Sequence, residues 1–251
     1  MKGTSQRDDE KIWRYLDFQK FAALVSSSTL WFARLDTLED KWEGLSRAIP
    51  YAPPPNGGEA HKKYEELVRQ HHEWRLKLRT RSFVSCWTLE ESESIPLWKI
   101  YGSYEAGVAI QSTSSRFTES VRFPRQFPAH ATGPVSYYDA IPAATFDYPK
   151  SVEFSWEKEF EISLQKRSSF KFEKEWRAII VGNGRDKARG IQVPVAIDNL
   201  LENLFVSPAA SERFLETVAA VAEKFGLKIT PQRSMLARPR PRVAPPIGSP
   251  T

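Results

Sequence analysis

The stretch Phe172–Ile180, FEKEWRAII, decides how the chain is read. As a strand it puts Glu173, Glu175 and Arg177 on one face. Phe172, Trp176, Ala178 and Ile180 fall on the other, because side chains alternate along a strand. An apolar run that carries three charges on one side has two readings. One is a solvated face with cross-strand ion pairs, each worth about 0.2–1 kcal/mol. The other is the charged wall of a cleft, where a glutamate held ionised beside an arginine stabilises a positive charge developing on a sugar ring. Glu175 is the candidate over Glu173, being nearer the middle of the strand.

Outward from that stretch, the pattern mixes strands and helices without strict alternation. Strands are expected near Ile12–Tyr15, Leu30–Arg34, Phe83–Trp87, Gly107–Gln111, Pro134–Tyr138, Phe172–Val181, Ile191–Val195, Leu204–Val206 and Leu227–Thr230. The segment GNGRDKARG reads as a long hairpin loop joining two of them. Asp17 caps a helix with Phe18, Phe21, Ala22 and Val25 on its apolar side. Asp36 and Glu39 resemble a capping box over a short helix ending at Gly44. Further helices are expected over Glu59–Arg79, from Ser94, and over Asp198–Glu202. One more starts at Ser207–Pro208 and stops at Gly226. Val152–Leu164 fits a period of two and a period near four, and its Glu and Lys content favours a helix. The fold class is α+β, with mixed and antiparallel central sheets and several packed helices. Residues 1–10 read as a flexible lead, 11–233 as a single domain, and 234–251 as a disordered Pro/Arg-rich tail.

The totals bound the rest. A chain of 251 residues holds one sizeable core or at most two small ones. Eight tryptophans and 12% aromatic residues point to a core built on ring packing. Cys86 is the only cysteine, so an internal disulfide and a thiolate metal cluster are excluded. The opening MKGTSQRDDE has no apolar segment of the signal-peptide kind, and no run approaches the ~20 apolar residues of a membrane span. A cytoplasmic protein without a membrane partner is expected. The net charge of +5 is a weak pointer to an anionic partner, since Arg238, Arg240 and Arg242 lie in the tail.

Other constellations carry less. Arg14, flanked by Trp13 and Tyr15, either salt-bridges to Glu175 or Glu173 or holds a phosphate or ribose through its planar fork of donors. Trp98 and Tyr101 share a helix; Trp98 reads as core, and Tyr101, with a hydroxyl and a following glycine, as a residue lining a site. Asp36, Glu39, Asp40 and Glu43 cluster near Lys41. A solvated, capped turn explains them, and so would a Mg²⁺-dependent nuclease using Asp40, Glu43 and a strand carboxylate. Histidine spacing supports neither zinc nor histidine catalysis, and no phosphate-binding glycine fingerprint occurs. Arg185, Lys187 and Arg189 in GNGRDKARG form either an exposed loop or a contact to nucleic-acid phosphates. The free N–H groups at Ser207–Ala209 offer a possible anion site.

Three phrases carry a resemblance: WRYLDFQKFAALVSSSTLWFARLDTLEDKWEG, FVSCWTLEESESIPLWKIYGSYEAGVAIQ and LQKRSSFKFEKEWRAII. From about Trp13 to Thr230 the chain resembles the bacterial domain-of-unknown-function family numbered 2971, which implies almost nothing about activity. More distantly it is similar to ADP-ribosyltransferase-like domains. The matching features are Arg14, the helix from Asp17, Leu30–Phe32, Glu175 and the segment Val193–Val206. Those domains often have histidine where this chain has Arg14, and either Ser85 or Tyr101 fills the middle motif. The resemblance implies a substrate, NAD, with Glu175, Arg14 and Tyr101 as catalytic residues and Arg14, Ser85 and Arg177 in its binding. Three functions follow as expectations: an NAD-consuming transferase, a non-catalytic module binding nucleic acid or a partner protein, and the nuclease.

Overall fold

The computed structural model describes residues 9–45, 58–127, 129–139, 155–184 and 188–237. These build an α+β domain on a nine-stranded, mostly antiparallel sheet. Its pivot is β3 (Ser82–Leu89). One edge of β3 is taken along its length by β8 (Glu175–Val181), from Ser82 opposite Val181 to Thr88 opposite Glu175. The other edge is shared. β1 (Lys11–Asp17) pairs only at Thr88 and Leu89, and β2 (Thr29–Arg34) only at Phe83 and Val84. Ser85, Cys86 and Trp87 between them have no strand partner on that side, so the sheet is split there.

From the split the sheet runs two ways. β1 pairs along its whole length with β4 (Gly107–Thr113), which pairs with β10 (Asn203–Val206), then with the two-residue β11 (Gln232–Arg233). β2 pairs with β9 (Gly190–Pro194), and β8 pairs outward with β5 (Ala129–Pro134). Both edges of β8 are therefore filled, and the expected β8–β9 hairpin does not form. β9 pairs with β2 instead.

Asp17 caps α1 (Phe18–Ser27) as its position dictates: the Lys20 N–H donates to Asp17 Oδ1 at 2.7 Å. The helix buries Phe21, Leu24 and Val25 against the main core, where Ile12, Leu16, Phe83, Trp87, Trp176, Ala178 and Ile180 meet. Rings dominate it: Phe117, from α4 (Ser114–Ser120), meets Trp87 and Trp176 edge-on at centroid distances of 5.5 and 5.0 Å. On the opposite face α3 (Ile95–Tyr101) lays Leu97 and Trp98 on Trp13, Tyr15 and Phe205. The long α2 (Glu59–Arg81) buries Tyr64, Trp74 and Leu78, and its last turn leads straight into β3.

Several expectations move. The capping box at Asp36 gives way to a 3-10 turn, Leu35–Thr37, because Asp36 pairs with Arg34 instead. The last helix is α7 (Glu212–Lys224), capped by Ser211 and not by Ser207. Ser207 is buried, its hydroxyl donates to the Tyr104 carbonyl and accepts the Ala209 N–H, and its carbonyl accepts the Ala210 N–H in a turn ahead of the helix, so the expected free N–H groups of an anion site are already used there. β10, α7 and β11 do form a β-α-β unit, with the closing strand at Gln232–Arg233 rather than Leu227–Thr230. α4 and β5 lie in the proline-rich stretch whose pattern the sequence leaves mixed. α5 (Trp156–Ser163) is a helix as its Glu and Lys content suggests, with 152–154 outside the described residues. No described helix is long and apolar enough to cross a membrane.

Gly107, where β4 begins, shows how tightly the α3–β4 connection is packed. A Cβ there would sit 1.6 Å from the Gly102 carbonyl oxygen, backbone against backbone. Gly107→Ala therefore lowers stability by about 3 kcal/mol, the upper end for an overpacked site that cannot yield; urea denaturation followed by tryptophan fluorescence reads it.

Candidate functional site

A cavity of about 340 Å³ opens where the sheet is split. One wall comes from the sheet face opposite the main core: Trp13 and Tyr15 of β1, Trp31 and Ala33 of β2, Val84, Cys86 and Thr88 of β3, and Glu175 of β8. The second wall is Asp40 and Glu43 after the 3-10 turn, Lys166 of the short β7 (Gln165–Arg167), Phe170, Glu173 and Tyr101. Arg14 closes it through the gap. By alternation Arg14 belongs to the face of Ile12 and Leu16, yet it reaches the cavity because β1 and β2 diverge beside it.

The local chain explains why Glu173 and Glu175 face the same space. Phe172 and Glu173 are not in the strand. They close a 3-10 turn, Ser168–Glu173, and Lys174 takes a left-handed conformation (φ 43°) before β8 starts at Glu175. Both carboxylates converge on Lys166 Nζ, Glu173 at 2.5 Å and Glu175 at 3.1 Å. Tyr101 donates its hydroxyl to Glu173 Oε1 at 2.5 Å.

Behind them stands Arg177, wholly buried. Its Nε donates to Glu175 Oε1 at 2.6 Å, its Nη2 to Glu175 Oε2 and Glu43 Oε1, both at 2.9 Å, and its Nη1 to the Ser163 carbonyl at 2.8 Å. Lys166 lies 3.3 Å from Glu43. The solvated-face reading of Glu173, Glu175 and Arg177 is thus overturned, since all three are buried. So is the solvated-turn reading of Asp40 and Glu43: Asp40 takes a two-point contact from Arg167 at 2.7 and 3.1 Å.

The electrostatics follow. Burial works to raise the Glu175 carboxyl, but Arg177 and Lys166 outweigh it and hold it at about 2. Burial leaves Glu173 above its ordinary range despite Lys166. Burial also lowers Lys166, and Glu175, Glu43 and Glu173 more than reverse it, so Lys166 stays charged. Burial pushes the Cys86 thiol well up, which removes it as a nucleophile. Three carboxylates, Glu43, Glu173 and Glu175, face two cations, Lys166 and Arg177. The wall carries one negative charge in excess when all are ionised.

Arg14 is different. It donates to Ser85 Oγ at 2.8 Å and to the Trp31 carbonyl at 3.4 Å, and its guanidinium lies 5.6 Å from the Trp87 ring centroid. It forms no ion pair among the described residues, so the expected bridge to Glu175 or Glu173 is absent. A cation desolvated without a counter-charge is a place for an anion.

The structure thus brings Arg14, Glu175 and Tyr101 to one cavity. Ser85 and Arg177 do not line it. Ser85 orients Arg14 from the core side, and Arg177 orients Glu175 from behind, so neither reaches a bound molecule. Arg185 and Lys187 lie outside the described residues, and Arg189 does not line the cavity. Lys166 is not among the sequence candidates, because its context, QKRSSF, gives no periodic signal that could have found it. Glu43 was read as a possible metal ligand, and its charge is instead spent on Arg177 and Lys166. No group of three or more His, Cys, Asp or Glu among the described residues is arranged to hold a metal ion.

Arg177→Met leaves Glu175 and Glu43 buried with Lys166 alone, and it costs about 3–5 kcal/mol in urea denaturation at neutral pH. The acid side carries a sign. The folded Glu175 is depressed to about 2 from 4.5, so its contribution is complete above about 4.5 and is lost as pH falls toward 2. Urea midpoints measured down that range fall more steeply for the wild type than for Arg177→Met.

No protein-family model matches the chain, so the resemblance to the 2971 family gains no support from that comparison. No curated protein matches it either. Among solved structures the chain is similar to DarT from Thermus sp. 2.9 in complex with carba-NAD+, at 12% identity and TM-score 0.38, over 91% of this chain and 96% of that one. It is similar also to the same protein in complex with NAD+, at 13% identity and TM-score 0.36, over 91% and 97%. At such identities and scores the likeness establishes neither a common fold nor a common ligand.

Proposed function

We propose that the protein is an NAD-consuming transferase of the ADP-ribosyl type. The observation that carries the reading is the pairing, on one cavity, of an ionised Glu175 with an Arg14 that has no counter-charge among the described residues. The two needs of the reaction are opposite in sign. The pyrophosphate of NAD asks for a guanidinium, and Arg14 offers a planar fork braced by Ser85 and the Trp31 carbonyl. The ribose asks for negative charge.

Cleavage breaks the bond between ribose C1′ and the pyridinium nitrogen. The bonding pair leaves with nicotinamide, which becomes neutral, and positive charge appears on C1′. The excess negative charge around Glu175 stabilises it there. The acceptor's nucleophilic atom then attacks C1′, forming the new bond to the ribose, and gives its proton to solvent. Lys166 and Arg177 keep Glu175 ionised and fixed before the reaction starts, which is preorganisation rather than direct contact. The pair Asp40–Arg167 is internally neutral and adds no net charge.

With purified protein and NAD, nicotinamide release followed by chromatography is expected. Glu175→Gln lowers it by about 10²-fold or more, the scale for removing a transition-state charge partner. Arg14→Met raises the KM for NAD. An unchanged rate in Glu175→Gln of native circular dichroism overturns the reading.

A second outcome concerns pH. The excess charge is present only while Glu173 is ionised, and burial sets its pKa above the ordinary carboxylate range. The rate therefore falls as pH drops through that raised value, above the range of an exposed glutamate. Glu173→Gln removes the limb from the pH–rate profile.

A further inference from the structure

Three rings on the cavity wall keep free surface, and they are not equivalent. Tyr101 is tied to Glu173 through its hydroxyl. Phe170 is covered by Lys166 at 4.7 Å and Arg167 at 5.6 Å. Trp31 is 48% exposed, and its ring meets no other aromatic ring among the described residues. Burial does not account for a tryptophan in that position.

Its backing does. Across the β2–β9 ladder Trp31 stands opposite Gln192, with Gly190, the partner of Ala33, on the diagonal, and a Cβ on Gly190 would fall 2.2 Å from Trp31 Cζ2. The indole packs against the bare backbone of Gly190 and also lines the cavity. Its own carbonyl accepts from Arg14 Nη2. A partly exposed π-surface and a guanidinium are therefore adjacent on the same cavity.

We infer that Trp31 is a stacking platform for the purine base of a nucleotide whose phosphate is held by Arg14. The inference rests on the NAD reading above and adds which end of the molecule lies there. β2 and β8 flank β3 on opposite edges, so two strand spacings, about 10 Å, separate the strand of Trp31 from that of Glu175. The ring that departs beside Glu175 cannot also rest on Trp31. The base on the far side of the phosphates does.

The test is calorimetric titration of AMP and, separately, of ribose 5-phosphate into the full-length wild type, Trp31→Ala and Trp31→Phe. Trp31→Ala is expected to weaken AMP by about tenfold or more, the scale of one base–aromatic stack. Trp31→Phe restores most of the affinity, and ribose 5-phosphate is unaffected by either change. Equal weakening of ribose 5-phosphate, an unchanged AMP affinity, or no AMP binding by the wild type overturns the inference. The two proposals part cleanly. Trp31-dependent AMP binding without nicotinamide release defeats the catalytic reading alone, and Glu175-dependent release with AMP indifferent to Trp31 defeats this one alone.

Discussion

Everything around the cavity answers to one buried guanidinium. Arg177 has no access to solvent, so its charge must be met inside the protein. Glu175 meets it from two residues away on the same strand, Glu43 from a turn 134 residues earlier, and the Ser163 carbonyl from the end of a helix. Removing any partner leaves a charge stranded in a poorly polarisable interior. The requirement ties β8, the turn before Gly44 and the end of α5 to one another. It also fixes where the cavity's carboxylates stand. The carboxylates of the wall are held by these bonds before any ligand arrives, and such electrostatic preorganisation is what cation-stabilising chemistry uses.

Much of the architecture was legible. Asp17 as a cap, the apolar sides of α1 and α7 and the glycine stop at Gly226 (φ 71°) follow from spacing and backbone chemistry alone. The convergence of Arg14 and Glu175 was visible only as a juxtaposition worth testing. What stayed hidden was long-range. Nothing local in GNGRDKARG says that β8 has both edges filled and that β9 must pair with β2. Nothing local in QKRSSF says that Lys166 joins three carboxylates. Ser207 looked like a cap because the Ser-Pro pair is a good local signal, but the chain makes only a turn there and the helix waits for Ser211.

The split in β3 is the structural event that creates the site. A continuous sheet would close the edge of Ser85, Cys86 and Trp87 with backbone hydrogen bonds and leave no room between β1 and β2. Because β1 and β2 each claim only one end of that edge, a residue from the core face can look through to the other. That is why Arg14 shares a cavity with side chains on the opposite side of the sheet. The sign of the charges is then distributed by layer: the cation arrives through the gap, and the carboxylates stand on the far face.

The outer strands bear on how the molecule behaves among its own copies. β11 is two residues long, and β5 and β9 each end in a proline, Pro134 and Pro194. A strand that is very short, or that lacks an N–H at its end, offers a poor template for a neighbouring chain to extend. Among the described residues, the large, ring-rich sheet thus ends in strands that are short or closed by a proline, the features that make a sheet margin a poor seed for fibres.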